Sequence, residues 1–293
     1  MLFVKEQYST KSYTIKEKII KIHTLIAEKY SECVPQPIQH RRNADKMKLG
    51  DVSVITLAIG QLIVGEKSER KWYEFCKANL CDVIENFCDR SRYNRIKNNL
   101  CDIIRLLFDE ITKEFSQPEY AIIDSAPVPV CKLVRAKKLK LFKYEGATFG
   151  YCAAKKEHYF GYKLHLVCNL DGVPIDYLLT PANVDDRTAA LEIAEHCRAI
   201  RLLGDKGYVG KAFHDEMLSK GISIYPLYRK NMKVPPYPKA LFPCFRRYRK
   251  RIETVFSSLS SQYDFQNVTR KILRGLASHI ALVLLALFLS LFF

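Results

Sequence analysis

The hydrophobic pattern of the chain changes near residue 118, and this change constrains the fold more than any other feature. Before it, apolar residues recur at three- and four-residue spacing, as at Ile15, Ile19, Ile22 and Ile26, which is typical of one helix face. After it, short apolar runs alternate with helical stretches. We therefore predict an all-helical region over residues 1–118, followed by an α/β domain over residues 119–293 that ends in an apolar helix.

Within the helical region, a basic segment with two prolines, Pro35 to Arg42, separates the first helix from the next. The second helix is predicted to begin with Asp51 as its N-cap. Further helices are predicted over about 67–79, 82–90 and 92–116. Trp72 and Tyr73 are expected to lie in the core.

The second region begins with a strand at Tyr120 to Val130. Two further strand-like runs, 159–172 and 173–186, meet at Asp171-Gly172, which is typical of a hairpin turn. The elements then alternate as helix 187–198 behind an Asp186 cap, strand 199–204, helix 211–220, strand 223–228 and helix 245–263. This order predicts a ribonuclease H-like mixed sheet with helices on its faces.

The chain is strongly basic, with 47 Lys and Arg against 31 Asp and Glu and a formal net charge of +16. Its positive charges come in blocks, since neither residues 132–143 nor residues 229–251 contain any acid. Such blocks are typical of surfaces that contact phosphates, so a polyanionic partner is predicted. An ordinary basic surface that binds nothing is the alternative.

The ten cysteines contain no C-x-x-C pair and no zinc-finger spacing with His. The first residues carry charge and lack the sustained apolar core of a secretory leader. We therefore predict reduced, mostly buried thiols in a cytoplasmic protein.

The last fourteen residues, Ile280 to Phe293, are apolar except for Ser290. A helix of that length reaches about 21 Å, against a hydrocarbon core of about 30 Å. We expect a helix buried in the domain or docked against a second subunit, and no membrane partner. A tail anchor, made by extending the helix back to Leu276, is the alternative.

Three acidic residues stand out by their positions. Asp124 interrupts the apolar strand AIIDSAP, Asp205 follows the strand in RLLGDKGYVG, and Glu253 lies on a helix in RRYRKRIETVFSSL. Each has a simpler interpretation: Asp124 on a solvent face or in a turn, Asp205 in an ordinary turn, and Glu253 in a surface salt bridge with Arg249. Their combination suits two Mg²⁺ ions, which need carboxylate oxygens that converge from separate elements.

Five fragments carry a family resemblance: IDSAP around Asp124, YFGYKLH at 159–165, TPANVDD at 180–186, GDKGY around Asp205, and R-x-x-x-E from Arg249 to Glu253. In this order they resemble DDE transposases of bacterial insertion sequences, most closely insertion-sequence family nine hundred and eighty-two. The resemblance implies a ribonuclease H-like catalytic domain with Asp124, Asp205 and Glu253 as triad and metal ligands. It also implies Mg²⁺ as cofactor, with Mn²⁺ as a substitute, and DNA as partner.

The resemblance further implies cleavage at the terminal inverted repeats of the element, joining of the 3′ ends to target DNA, and a homo-oligomer that holds two ends together in the bacterial cytoplasm, on the nucleoid. Related transposases often carry Tyr and Lys near the last carboxylate, where this chain has Arg246 and Ser260. Some other basic residue must then replace that Lys, or this copy has weakened.

Basic residues near the acids are predicted to bind DNA: Arg246, Arg247, Arg249, Lys250, Lys206 and Lys163. Strand alternation allows only one of Tyr162 and Lys163 to face the same groove. His165 is expected to be a packed strand histidine and not a general base. A metal-dependent nuclease that does not join DNA, and a DNA-binding remnant without activity, are the alternative functions.

Overall fold

The computed structural model describes residues 14–115, 117–153, 155–227, 238–266 and 272–291. The basic positions Arg229, Lys230 and Lys233 lie outside the described residues. The chain forms two compact units. A helical unit contains Met1–Ile111 and Arg274–Phe293, and a sheet unit contains Thr112–Leu273.

The described part of the helical unit consists of helices and their connections. These are α1 (Ile15–Cys33), α2 (Gln36–Gln39), α3 (Asp51–Val64), α4 (Glu69–Asn79), α5 (Arg90–Asn99) and α6 (Cys101–Ile111), with α11 (Leu273–Ser290) from the chain's end. Helix α1 begins at a capping box in which Thr14 and Glu17 satisfy each other's backbone N–H groups. Helix α3 ends at Gly65, whose φ of 77° favours glycine.

The core of this unit lies where α1, α3 and α4 meet. Trp72 and Tyr73 are buried as predicted, and the Trp72 indole N–H donates to the Leu57 carbonyl at 2.8 Å. Gly60 permits the Ile19 side chain of α1 to approach α3 closely, since a Cβ at Gly60 would lie 2.2 Å from Ile19 Cδ1. The α1–α3 and α3–α4 contacts therefore depend on the missing side chain at Gly60.

Two helix predictions in this region were wrong in detail. Asp51 is the first residue of α3 and not its N-cap, because Gly50 takes that place while the Asp51 carboxylate accepts bonds from Arg41 and Tyr30. Residues 81–84 form a turn and a bend, residues 85–89 have no regular secondary structure, and a helix begins only at Arg90. Asn86 has a φ of 58°, which interrupts a right-handed helix.

Helix α11 is the only described helix long and apolar enough to cross a membrane. In the structure 72% of it is buried. Ser278 donates to the Lys97 carbonyl, and Arg274 donates to the Asn99 carbonyl and to Asp102, so these bonds run to α5 and α6 of the same unit. This helix was predicted to belong to the catalytic domain, whereas it packs in the helical unit. A buried core helix explains its composition, and it does not indicate a membrane protein.

The sheet unit is built on one mixed sheet. Its strands are β1 (Tyr120–Cys131), β2 (Thr148–Cys152), β3 (Glu157–Asn169), β4 (Pro174–Pro181), β5 (Arg201–Gly204) and β6 (Ser223–Pro226). Its helices are α7 (Lys140–Tyr144), α8 (Asp186–Ile193), α9 (Lys211–Ser219) and α10 (Phe242–Ser261). The strands are ordered β2-β3-β1-β5-β6, and β4 also pairs with β3.

The pairing confirms the predicted plan. Strand β3 pairs antiparallel with β1, β2 and β4, and β5 pairs parallel with β1 and β6. This mixed sheet with flanking helices is consistent with a ribonuclease H-like domain. The predicted β3–β4 hairpin is present at Asp171-Gly172. Strand β2 was not predicted, since its five residues carry only a short and weak alternation.

The two faces of the sheet are covered by different helices. Ala121 and Ile123 of β1 pack in a core with residues of α8 and α9. Tyr120, one residue out of phase, packs with Leu203 and with Phe245 of α10. Because alternate strand residues share a face, Asp124 follows Tyr120 onto the α10 side. This alternation positions the site described next.

Candidate active site

Asp124 lies within β1, and Asp205 is the first residue after the neighbouring strand β5. Strands β1 and β5 are parallel, with Ile122 opposite Leu203. If this register is extended by two residues, Asp124 falls opposite Asp205, and the effect of the Asp205 charge on the pKa of Asp124 indicates that the two carboxylates are close. The sequence separation between these two acids conceals this closeness, which only the sheet produces.

The Asp124 carboxylate is 18% exposed and held by two donors. It accepts the Ser125 backbone N–H at 2.8 Å and an Arg249 N–H at 3.3 Å. The pKa of Asp124 is raised to about 6, chiefly by burial, against the effect of Arg249 and the Ser125 N–H and with added effects from the negative charges of Asp205 and Asp186. The site therefore places carboxylates together at an electrostatic cost.

Asp205 lies in the turn after β5. One of its oxygens, Oδ1, accepts the Gly207 backbone N–H at 2.6 Å. A Cβ at Gly207 would lie 2.9 Å from that oxygen and 4.0 Å from Asp186 Oδ2. Gly207 therefore separates two carboxylates, and its lack of a side chain leaves room for both.

Glu253 is joined to Asp124 through one arginine. Arg249, one turn earlier on α10, donates from Nη1 to Glu253 and from Nη2 to Asp124. The Glu253 side chain is 53% exposed, and the Arg249 side chain is 21% exposed. The salt bridge that we considered as an alternative role for Glu253 is thus present, and it links Glu253 to Asp124.

Asp186 is the site residue that sequence reasoning missed. We predicted that it caps the following helix, but Asp185 is the N-cap of α8 and Asp186 is its first residue. Asp186 Oδ1 accepts the Ser125 hydroxyl at 3.1 Å and the Lys163 ammonium at 3.0 Å. The sequence did contain a signal, because TPANVDD ends in two adjacent aspartates. Only one of them is needed to cap the helix, so the other is free for another role.

Two buried side chains complete the surroundings of the carboxylates. His165 is fully buried, its Nε2 lies 2.9 Å from Thr180 Oγ1, and burial lowers its pKa to about 4. It is therefore a neutral, packed histidine, as predicted. Tyr208 is 1% exposed, and its hydroxyl has no hydrogen-bond partner among the described residues. Burial raises its pKa, and Asp186, Asp124 and Asp205 all contribute in the same direction.

The donor set fits a hard divalent cation in chemistry, and the carboxylates share one electrostatic neighbourhood. No three His, Cys, Asp or Glu side chains within the described ranges are grouped closely enough to hold a metal ion. The Arg249 guanidinium lies between Asp124 and Glu253 and donates to both. Binding of a metal by both acids therefore requires Arg249 to release them.

The basic residues around the site differ in exposure. Arg246, Arg247, Lys250 and Lys206 are exposed. Lys163 is 17% exposed and donates to Asp186 and to the Val184 carbonyl, so its positive charge pairs with Asp186 within the site. Tyr162 is buried instead, with its hydroxyl donating to the Glu145 carbonyl, which confirms that only one of this pair approaches the acids.

A comparison with protein families assigns the chain. The family described as Transposase DDE domain matches residues 116–289, more than half of the chain. The chain belongs to this family. In this DDE transposase the matched region contains the sheet unit from residue 116 onward and most of α11. No curated protein and no solved structure matches the chain.

Family membership supports several of the predictions at a coarser level. DDE transposases are metal-dependent enzymes that cut and join DNA, generally with divalent metals, and DNA is their partner. The prediction of an insertion-sequence DDE transposase is supported. The individual site residues stay predictions, which we develop below.

Proposed function

We propose that this transposase cleaves DNA at the terminal inverted repeats of an insertion sequence of family nine hundred and eighty-two and joins the freed 3′ ends to target DNA. Asp124, Asp205 and Glu253 form its catalytic triad. The observation that carries this proposal is the parallel β1–β5 register, which sets Asp124 opposite Asp205 when it is extended by two residues. The link from Asp124 through Arg249 to Glu253 adds the third acid.

The triad would hold Mg²⁺, or Mn²⁺ in its place. When bound, the metal supplies activation of a water or 3′-hydroxyl and neutralisation of charge on the departing oxygen. The chain's own part is to orient the acids. The Ser125 N–H fixes Asp124 and the Gly207 N–H fixes Asp205, so both carboxylates are positioned before a metal arrives.

The DNA backbone would follow the basic side of α10. Arg246, Arg247 and Lys250 are exposed there, and Lys206 is exposed beside Asp205. Arg249 contributes once released from the acids, and Lys163 contributes from its place beside Asp186. The working form is a homo-oligomer on DNA in the bacterial cytoplasm, associated with the nucleoid. A DNA-binding role for the N-terminal helices belongs to the same proposal.

The triad is tested by strand cleavage and strand transfer on a labelled duplex that carries the element's terminal repeats, with Mg²⁺, Mn²⁺ or EDTA. Asp205→Asn and Glu253→Gln should each abolish cleavage and leave DNA binding largely intact, because metal binding needs charged carboxylates. Asp215→Asn, an exposed acid on α9, is the matched control and should cut normally.

Each other outcome identifies a different function. Cutting without joining by the wild-type chain would favour a metal-dependent nuclease. Binding of the repeats without cutting would indicate an inactive remnant. Normal cutting by either triad variant would remove that residue from the site.

The DNA surface is tested with Arg246→Ala combined with Arg247→Ala. Loss of two phosphate contacts should lower affinity and reduce the slope of log K against log salt by about 2. The double variant Arg198→Ala with Lys220→Ala removes the same charge from the α8–α9 side and is the control. An unchanged salt slope in the first variant would remove this side of α10 from the DNA surface.

A further inference from the structure

We propose that Asp186 is a fourth carboxylate ligand of the metal site, acting beside Asp205. This inference rests on the proposed function, because it concerns the metal that the triad would hold. It goes beyond the triad, since Asp186 lies outside the three positions that the family resemblance supplies.

The Asp186 carboxylate is oriented through one of its two oxygens. Oδ1 accepts the Lys163 ammonium at 3.0 Å and the Ser125 hydroxyl at 3.1 Å, and His165 Nδ1 lies 3.7 Å away. Ser125 directly follows Asp124 on β1, so the same contacts tie Asp186 to the first triad acid. A metal ligand held this way is already in position when the ion arrives.

The second oxygen of Asp186, Oδ2, is available to bind a metal ion. Asp186 Oδ2 accepts no hydrogen bond from the described residues, and the side chain is 32% exposed, so an ion can reach it. This oxygen faces Gly207. A Cβ added to Gly207 would lie 4.0 Å from Asp186 Oδ2 and 2.9 Å from Asp205 Oδ1, so the two carboxylates lie on either side of this glycine. The space between these two carboxylates contains no side chain from Gly207.

The site carries a net negative charge that a divalent cation can neutralise. Arg249 pairs with two of the acids, and Lys163 pairs with Asp186. Four carboxylates against these two cations leave two negative charges. The buried Tyr208 hydroxyl, which has no hydrogen-bond partner among the described residues, borders the same acids and offers no positive charge. A divalent cation would offset this excess of negative charge, which grows to three when Arg249 releases its two acids.

The test measures Mn²⁺ binding to the full chain without DNA, from the loss of the free-ion signal in electron paramagnetic resonance. Asp186→Asn keeps the size of the side chain and should weaken Mn²⁺ binding by about tenfold or more. Asp185→Asn is the matched control, since the adjacent Asp185 bonds Arg187 and asparagine caps a helix as well as aspartate. Asp124→Asn serves as the reference for loss of a triad ligand.

Lys163→Gln separates a ligand from a positioning role. Glutamine can still donate a hydrogen bond to Asp186 Oδ1, so if Asp186 binds the ion, removal of the positive charge of Lys163 leaves Mn²⁺ affinity equal or higher. Weakening by Lys163→Gln as large as that by Asp186→Asn would overturn the proposal, because Asp186 would then act only by holding Lys163.

The remaining outcomes distinguish failure of this inference from failure of the proposed function. Wild-type affinity in Asp186→Asn beside a loss in Asp124→Asn would overturn the inference and leave the proposed function standing. Absence of Mn²⁺ binding by the wild-type chain, both alone and on duplex DNA that carries the terminal repeats, would overturn both. Circular dichroism and the melting temperature verify folding, and Asp186→Ser replaces Asp186→Asn if the latter does not fold.

Discussion

Replacing Asp124 by Asn should stabilise the metal-free protein at neutral pH while abolishing its chemistry. Burial beside Asp205 and Asp186 raises the pKa of Asp124 from 3.8 to about 6. Between these two values the folded chain binds more protons than the unfolded chain, so the free energy of unfolding falls as pH rises. Above pH 6 the folded state carries the full penalty of a buried charge.

The magnitude follows from the size of the shift in pKa. At about 1.36 kcal/mol per pKa unit, the penalty is about 3 kcal/mol at pH 7.5, about 1.6 kcal/mol at pH 5, and close to zero below pH 3.8. Asparagine resembles the protonated acid and avoids the penalty. For a unit of this size, 3 kcal/mol corresponds to a rise in melting temperature of about 6 to 12 °C.

The assay is calorimetric melting of wild type and Asp124→Asn in EDTA across this pH range. The gap between the two melting temperatures should grow from pH 4 to pH 6 and then stay constant. Asp185→Asn is the control of opposite sign, because the Arg187 bond lowers the pKa of Asp185 and its ionised form is favoured on folding. A gap independent of pH would refute the reasoning.

Two glycine substitutions give further predictions. Gly207→Ala places a Cβ 2.9 Å from Asp205 Oδ1 and should displace that carboxylate, so cleavage should fall about tenfold or more while the melting temperature changes little. Undiminished cleavage would show that the Asp205 position is not critical. Gly60→Ala places a Cβ 2.2 Å from Ile19 Cδ1 and should destabilise the helical unit by about 1–3 kcal/mol. Urea unfolding followed by the fluorescence of Trp72, the single tryptophan of the chain, would measure it, and an unchanged midpoint would contradict it.

Much of the sheet unit was predictable because its strands carry strong local signals. The apolar run before Asp124, the Asp171-Gly172 turn and the alternation of helices after it each specify an element without distant contacts. Asp124 and Asp205 could be selected because each interrupts or ends an apolar strand. The register that brings them together depends on strand pairing, which no local pattern contains.

What escaped prediction depends on tertiary contacts. Asp186 was interpreted as a helix cap because both Asp185 and Asp186 suit that position, and only its contacts with Ser125 and Lys163 place it among the acids. Helix α11 was assigned to the catalytic domain by its place in the sequence, whereas its bonds to the Lys97 and Asn99 carbonyls belong to the helical unit. Sequence order does not reveal such long-range packing.

The position of Arg249 couples two binding equilibria. Its guanidinium satisfies Asp124 and Glu253, so a metal that binds both acids frees an arginine on the basic side of α10. A phosphate that recruits Arg249 conversely leaves the two acids open. If the triad binds metal as proposed, each ligand then raises the affinity of the other by the same factor, as linkage requires. The chain would load metal most readily on DNA, which confines phosphodiester cleavage to the assembled complex.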